Sequence, residues 1–185
     1  IYGERMRLGR RIMVIGSGGA GKSALARELG DLLGLPVIHL DAEHWRPGWV
    51  ETPKEEWQRK VEALAERETW IIDGNYGGTM HIRLAAADTV LFLDYPWYVC
   101  LWRVLKRIIS YRGKIRPEMA PGCPERLNWS FLRWVCLDFP RRSRPRILQL
   151  LDQQGSGKLV ITLRSPRETR RLLASLRLSL IHISE

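Results

Sequence analysis

The chain is short of several things, and each shortage closes off a class of function. Its 185 residues hold three cysteines, Cys100, Cys123 and Cys136, and none forms a CxxC or a Cys/His pair at metal-ligand spacing. An odd number of scattered cysteines excludes a disulfide scaffold and a zinc site, and suits free thiols in a reducing cytoplasm. No uninterrupted apolar run reaches the roughly 18 residues that a helix needs to cross a bilayer, so no membrane span is expected. No charged stretch with a following apolar run and a small-residue cleavage site opens the sequence, so the expected location is cytoplasmic. There is no internal repeat and no low-complexity segment. The N-K-x-D stretch through which GTPases read guanine is missing too, and the chain is short for a helicase or a motor.

Acidic residues are scarce over one third of the chain. Residues 97–150 carry twelve Lys/Arg against three Asp/Glu, whereas residues 51–96 carry five against nine, within a net charge of +10. A field that basic calls for an anionic partner, either phosphates on a small ligand or a polyanion.

What is present is an alternation of short apolar strands and helices. Strands are expected at "RRIMVIGS" (10–17), "PVIHLD" (36–41), "TWIIDG" (69–74), "DTVLFLDYP" (88–96) and "KLVITL" (158–163). Helical periodicity fills the gaps: Leu25, Leu29, Leu32 and Leu33 share a face that stops at Gly34. Thr52 and Pro53 are placed to start a second helix. Ser165, Pro166 and Glu168 form a capping-box start for the last one. Continuous apolar strands between helices argue for a parallel sheet covered on both faces, an α/β chain of three layers. One domain over residues 10–176 is expected, with a lid insertion at about 112–130 and terminal extensions at 1–9 and 177–185.

The first strand-to-helix junction, "GSGGAGKS", fits G-x-x-x-x-G-K-[ST] at Gly16, Gly21, Lys22 and Ser23. Backbone N–H groups can converge on phosphate oxygens only where side chains do not obstruct them, which is what Gly16, Ser17, Gly18, Gly19, Ala20 and Gly21 permit. The following helix adds its positive end. Lys22 supplies a point charge for the β- and γ-phosphates, and Ser23 a hydroxyl for Mg²⁺. A turn that merely joined strand to helix would need neither.

Two aspartates, Asp41 and Asp73, end strands two and three, where strand carboxyl ends face a ligand crevice. Asp94 ends strand four, in "LDYP", which needs only a turn. Arginines then crowd the basic third. Arg103 and Arg107 lie four apart on one helix, Arg112 and Arg116 flank a Gly/Pro-rich loop, and "PRRSRPR" (140–146) brings Arg142. Guanidinium forks suit phosphates, and a lid carrying them would keep water from a phosphoryl group in transfer.

The stretches "VIGSGGAGKSALARELG", "HLDAEHWRPGWVETPKEEW", "WIIDGNY", "DTVLFLDYP", "CLWRVLKRI", "YRGKIRPEMAPGCPE" and "FPRRSRPRI" cover most of residues 10–175. Together they resemble the small bacterial P-loop kinases related to adenylate kinase that are labelled DNA topology modulation (FlaR-like) proteins. The resemblance implies a P-loop NTPase fold with five parallel strands in the order 2-3-1-4-5 and a helical, Arg-rich lid. It implies ATP and Mg²⁺ as cofactors, with Ser23 and Asp73 on the metal side and Asp41 facing the phosphoryl acceptor. Lys22, Asp41, Arg107, Arg112, Arg116 and Arg142 are the expected catalytic set. "IIDGNY" keeps the Asp-Gly of adenylate kinase at Asp73 and Gly74 but lacks the Pro-Arg that grips a monophosphate, for which Arg83 is the nearest substitute. "RP" at Arg116 and Pro117 resembles the lid of shikimate kinase, a kinase of a non-nucleotide acceptor.

Trp45, Trp49 and Trp57 fall where such kinases cover the acceptor, to stack on a base or sugar or to pack the subdomain onto the sheet. Asn75 and Tyr76 suit an acceptor or a turn. His39 reads as a core histidine, and His44 as the better candidate for a pocket mouth. The expected function is Mg-dependent phosphoryl transfer from ATP to a small acceptor, nucleotide-like or a metabolite. The alternative is a DNA-interacting, nucleotide-dependent ATPase or regulator, for which no reader motif is present. A nucleotide-binding scaffold without turnover stays open as a third.

Overall fold

The computed structural model describes residues 7–125 and 127–181. Chain order runs β1 (Arg11–Gly16), α1 (Lys22–Leu33), β2 (Val37–His39), α2 (Leu40–His44), β3 (Trp45–Arg46), β4 (Val50–Glu51), α3 (Lys54–Ala65) and β5 (Trp70–Asp73). It continues through α4 (Met80–Ala86), β6 (Thr89–Leu93), α5 (Trp97–Ser110), α6 (Trp129–Arg133), α7 (Arg144–Gln154), β7 (Leu159–Leu163) and α8 (Pro166–Ile181).

Five strands form one parallel sheet in the order β2-β5-β1-β6-β7, which is the 2-3-1-4-5 order expected of five sheet strands. β1 lies at its centre and is fully sealed from Ile12 to Ile15. Its apolar run is continuous because both faces are covered, and the pleat sorts it by alternate residues. Ile12 and Val14 pack with Leu25, Leu29, Leu91 and Leu172 on one face. Met13 and Ile15 pack with Trp57, Val61, Ile72 and Phe92 on the other. From β1 the chain moves out to β2 and β5 on one side and later to β6 and β7 on the other, so β1 stands at the topological switch point. The crevice at its carboxyl end is where open α/β sheets bind ligands.

Several local expectations shift. β2 ends at His39, and Asp41 lies in the first turn of α2 instead of ending the strand. Thr52 does not cap α3, because its amide and hydroxyl both donate to the His44 carbonyl, leaving Pro53 at the helix start. The segment after α2 contains a two-stranded antiparallel ribbon, β3–β4, closed through Gly48 and Trp49, both at positive φ. Ser165 caps the last helix as expected, its Oγ accepting from Glu168 N–H, while the Glu168 carboxylate reaches one residue further back and accepts from Arg164 N–H.

Beyond α5, the expected lid is a series of turns folded back by bonds between Gly113 N–H and the Glu125 carbonyl and between Glu125 N–H and the Lys114 carbonyl. Residues 129–154 are then helical without a break. Trp134–Ser143 is wound as a π-helix between α6 and α7, and it contains Pro140, which has no N–H to give to an α-helical ladder. Of the expected terminal extensions, residues 177–181 continue α8, while 1–6 and 182–185 lie outside the described residues. At the other end Leu8 packs on the core, and Gly9 N–H donates to Thr89 Oγ1. Among the described residues no helix is long and apolar enough to cross a membrane.

Candidate active site

The carboxyl end of β1 turns into α1 through three glycines at positive φ, Gly16, Gly19 and Gly21. At Gly19 (φ +81°) a Cβ would stand 2.4 Å from the Cys100 carbonyl oxygen, so the loop can pass α5 only without a side chain. Gly21 precedes α1 with no side-chain cap and no acidic residue in the first turn, which leaves the helix amides available to an anion. Lys22 Nζ donates to the carbonyls of Gly16 (3.1 Å) and Ser17 (3.0 Å). Burial pushes its pKa down, partly opposed by Asp73 and Asp41.

One cavity of about 970 Å³ opens over this loop. Gly18, Gly19, Gly21, Lys22 and Ser23 form its floor, and Asp41, Asp73, Trp45, Trp49 and Tyr76 one wall. Arg103, Arg107, Arg116, Phe131 and Trp134 close it from the other side. The loop and both aspartates singled out in the sequence thus meet in one space.

Asp73 is buried, and His39 Nδ1 donates to its Oδ1 at 3.0 Å. Its Oδ2 is buried with no hydrogen-bond partner among the described residues. An orphaned carboxylate oxygen and a serine hydroxyl lining the same cavity are the hard-oxygen chemistry that Mg²⁺ takes, so Asp73 and Ser23 fit such a metal. Burial alone would lower the pKa of His39, but the hydrogen bond and charge of Asp73 outweigh it and the net direction is up. Asp41 Oδ1 accepts a 2.7 Å bond from the Tyr76 hydroxyl. The phenol is held protonated, first by burial and then by the Asp41 charge.

Tyr76 reaches Asp41 because of an unusual backbone. Its φ is +39°, a left-handed conformation that a bulky residue adopts only under constraint. The constraint is Arg83, completely buried, which donates Nη1 to the Gly74 carbonyl (2.8 Å) and Nη2 to those of Asn75 and Tyr76. Burial pushes the guanidinium down to about 9. Arg83 is therefore a brace for residues 74–76 and does not line the cavity, contrary to its expected role as a monophosphate grip. Asn75 exchanges two bonds with Gly16, donating to its carbonyl (2.7 Å) and accepting from its N–H (3.0 Å), which ties β5 to the loop.

The arginines divide. Arg103 donates to the Ala20 carbonyl (3.0 Å) and lies over the Tyr95 ring. Arg107 and Arg116 both pair with the buried Glu125: Arg107 Nε donates to Oε1 (3.2 Å), and Arg116 Nε approaches Oε2 at 2.6 Å. Burial lowers the Arg107 pKa, helped by the Arg116 charge and opposed by Glu125. Arg112 and Arg142, expected in the catalytic set, are exposed and outside the cavity lining. The sequence pattern gives the density of arginines but not their direction. Arg144 forms a bidentate pair with Asp94 (2.7 and 2.8 Å), so Asp94 ends its strand as an anchor for the long helix and not only as a turn.

The histidines exchange places relative to expectation. His39 lines the cavity, whereas His44 stacks among Trp45, Trp57 and Tyr76, and burial lowers its pKa. Trp57 belongs to the core, leaving Trp45 and Trp49, edge-to-face at 5.4 Å, in the cavity wall. Glu51, Glu118 and Glu125 complete the lining and carried no sequence signal.

No protein-family model matches the chain, and no curated protein matches it. Solved structures do. A shikimate kinase from Acinetobacter baumannii in complex with shikimate is 20% identical with a TM-score of 0.55, over 95% of this chain and 94% of that one. A gluconokinase from Sinorhizobium meliloti 1021 is 18% identical with a TM-score of 0.49, over 97% and 100%. A shikimate kinase from Aquifex aeolicus is 16% identical with a TM-score of 0.46, over 94% and 98%. The DNA-topology label has no counterpart among these three. The first of them shares the fold: the chain is an α/β protein whose five-stranded parallel sheet and helices are arranged as in that kinase.

Proposed function

We propose that this chain transfers the γ-phosphoryl group of ATP to a hydroxyl of a small organic acceptor. The observation that carries the reading is the shared cavity: a phosphate-binding loop and two carboxylates, Asp41 and Asp73, face one space with room beyond them for a second molecule. A protein that only bound nucleotide would have no use for Asp41 and its Tyr76 orienter.

In this reading the loop amides and Lys22 would hold the β- and γ-phosphates, and Ser23 and Asp73 would hold Mg²⁺, which would screen the phosphate charge. Asp41 accepts the proton of the acceptor hydroxyl as its oxygen bonds to phosphorus and the bond to the β-phosphate oxygen breaks, releasing ADP. Arg103, bonded to the loop at the Ala20 carbonyl, would offset charge on the transferring group, and Arg107 would add to it from the cavity lining. His39 holds the Asp73 carboxylate through Oδ1 and leaves Oδ2 without a hydrogen-bond partner among the described residues. The A. baumannii relative, a kinase bound to a small metabolite, agrees in fold with this class of acceptor.

The nucleic-acid alternative draws less support. Arg103, Arg107 and Arg116 turn into the cavity and Arg144 is paired to Asp94, so part of the basic third is spent internally.

The test is product formation from ATP over a panel of nucleosides, nucleotides, sugars and hydroxy acids, read by mass. Wild type is expected to yield a phosphorylated acceptor, and Lys22→Ala and Asp73→Asn to yield none. Equal product from Lys22→Ala would overturn the proposal.

A further inference from the structure

We infer that the acceptor is selected by a clamp built from two separate segments, Trp45 and Trp49 on the β3–β4 ribbon and Met119 on the lid, and that the backbone seam where these segments meet, Gly48 against Gly122, keeps water from the phosphoryl group. The inference rests on the kinase reading above and names the residues on which its acceptor half depends.

Ribbon and lid are distant in sequence and joined in space. Gly48 N–H donates to the Gly122 carbonyl at 3.0 Å, and the Cys123 thiol donates to the Arg46 carbonyl at 3.3 Å. Their backbones all but touch. A Cβ on Gly122 (φ +77°) would stand 2.9 Å from Pro47 Cβ and 3.1 Å from Pro47 Cα. Beside this seam Met119, Ala120 and Cys123 form a small buried cluster, and Trp45 and Trp49 pack against it. The cluster draws only on lid and ribbon among the described residues, so its apolar contacts exist only while the two are together.

Elsewhere the lid is fastened to the donor side. Arg107 on α5 and Arg116 share Glu125, and Arg27 on α1 pairs with Glu118 at 3.0 Å. Met119 N–H donates to the Arg116 carbonyl at 3.1 Å, so one turn carries both the lid arginine and the methionine of the clamp. Both line the cavity, together with Trp45, Trp49 and Asp41. The lid therefore reaches from the helices that flank the phosphate loop to the ribbon that follows Asp41.

Two indole rings and a thioether give an apolar, polarisable surface, which suits a C–H-rich face of an acceptor whose hydroxyl meets Asp41. The seam matters because water competes with that hydroxyl. Its oxygen can bond to the γ-phosphorus as the bond to the β-phosphate oxygen breaks and its proton passes to Asp41, giving ADP and inorganic phosphate. Contact between lid and ribbon closes the chamber on the acceptor's side to this reaction.

The test uses the full chain with Mg-ATP and an acceptor found by product mass, reading phosphorylated acceptor and inorganic phosphate separately. Met119→Ala is expected to raise KM for the acceptor about tenfold, a usual effect of one lost apolar contact, with KM for ATP little changed. Met119→Leu should restore most of it. Gly122→Ala, on an exposed lid turn, is expected to raise the ratio of inorganic phosphate to phosphorylated acceptor several-fold. Cys123→Ala, which loses only the thiol, should raise it less. An unchanged KM for the acceptor in Met119→Ala, or an equal rise in KM for ATP, overturns the clamp. An unchanged ratio in both Gly122→Ala and Cys123→Ala overturns the seam. Failure of the kinase reading looks different: wild type itself then phosphorylates no acceptor, and the inference falls with it.

Discussion

Asp41 and Asp73 carry opposite halves of the proposed chemistry, and their partners differ accordingly. Asp41 accepts a hydrogen bond from the Tyr76 hydroxyl and remains open to a substrate hydroxyl, whereas Asp73 is buried and held by His39. Asp41→Asn removes the proton acceptor while keeping shape and hydrogen bonding, so kcat should fall on the order of 10²- to 10⁴-fold with KM for ATP little changed. Steady-state kinetics check this, and a loss confined to ATP affinity would place Asp41 elsewhere. His39 gives a pH signature. Its pKa is raised on folding, so its contribution to stability is full below about 6.5, the unfolded value, and fades as pH rises through the folded value. Denaturant unfolding of wild type should show that loss on moving to alkaline pH, and His39→Gln should not. His39 was the residue least legible in the sequence, because a histidine within an apolar strand looks the same whether it faces the core or a carboxylate on the neighbouring strand.

At the scale of elements, the β1-to-α1 junction was legible in full, since its glycines and Lys22-Ser23 follow from what backbone amides need to meet phosphate. Gly19 tests that reasoning. Alanine there meets the Cys100 carbonyl oxygen and must adopt a φ of +81°. Gly19→Ala should cost more than about 1 kcal/mol of stability and weaken ATP binding, by thermal unfolding with and without nucleotide. The bend after β5 was not legible. "IIDGNY" names the residues, but the left-handed Tyr76 and its brace come from Arg83, seven residues on in α4. Arg83→Met leaves the Gly74 and Asn75 carbonyls without the guanidinium, while that of Tyr76 keeps Thr79, and should destabilise by roughly 2–4 kcal/mol, lowering kcat through the misplaced Tyr76. A variant of normal stability would show that the brace matters little. The lid carboxylates Glu118 and Glu125 stayed hidden for a similar reason, as a lone acid in a Gly/Pro loop gives no hint of which arginine it meets.

For the whole molecule, the parallel sheet and its covered faces followed from continuous apolar strands separated by helices, whereas the strand order came only with the family resemblance. The charge imbalance was visible. The basic third called for phosphates on a small ligand or a polyanion, and three of its arginines, Arg103, Arg107 and Arg116, line the cavity, the last two sharing Glu125. The fold puts the glycine-rich loop with Lys22 and the carboxylates Asp41 and Asp73 in one chamber, and the proposed function stands on a phosphoryl group passing across it. Phosphorus-31 NMR of the reaction with Mg-ATP and an accepted hydroxyl compound reads this directly. A new phosphomonoester resonance should rise in step with ADP, whereas ADP appearing with inorganic phosphate alone would contradict the account.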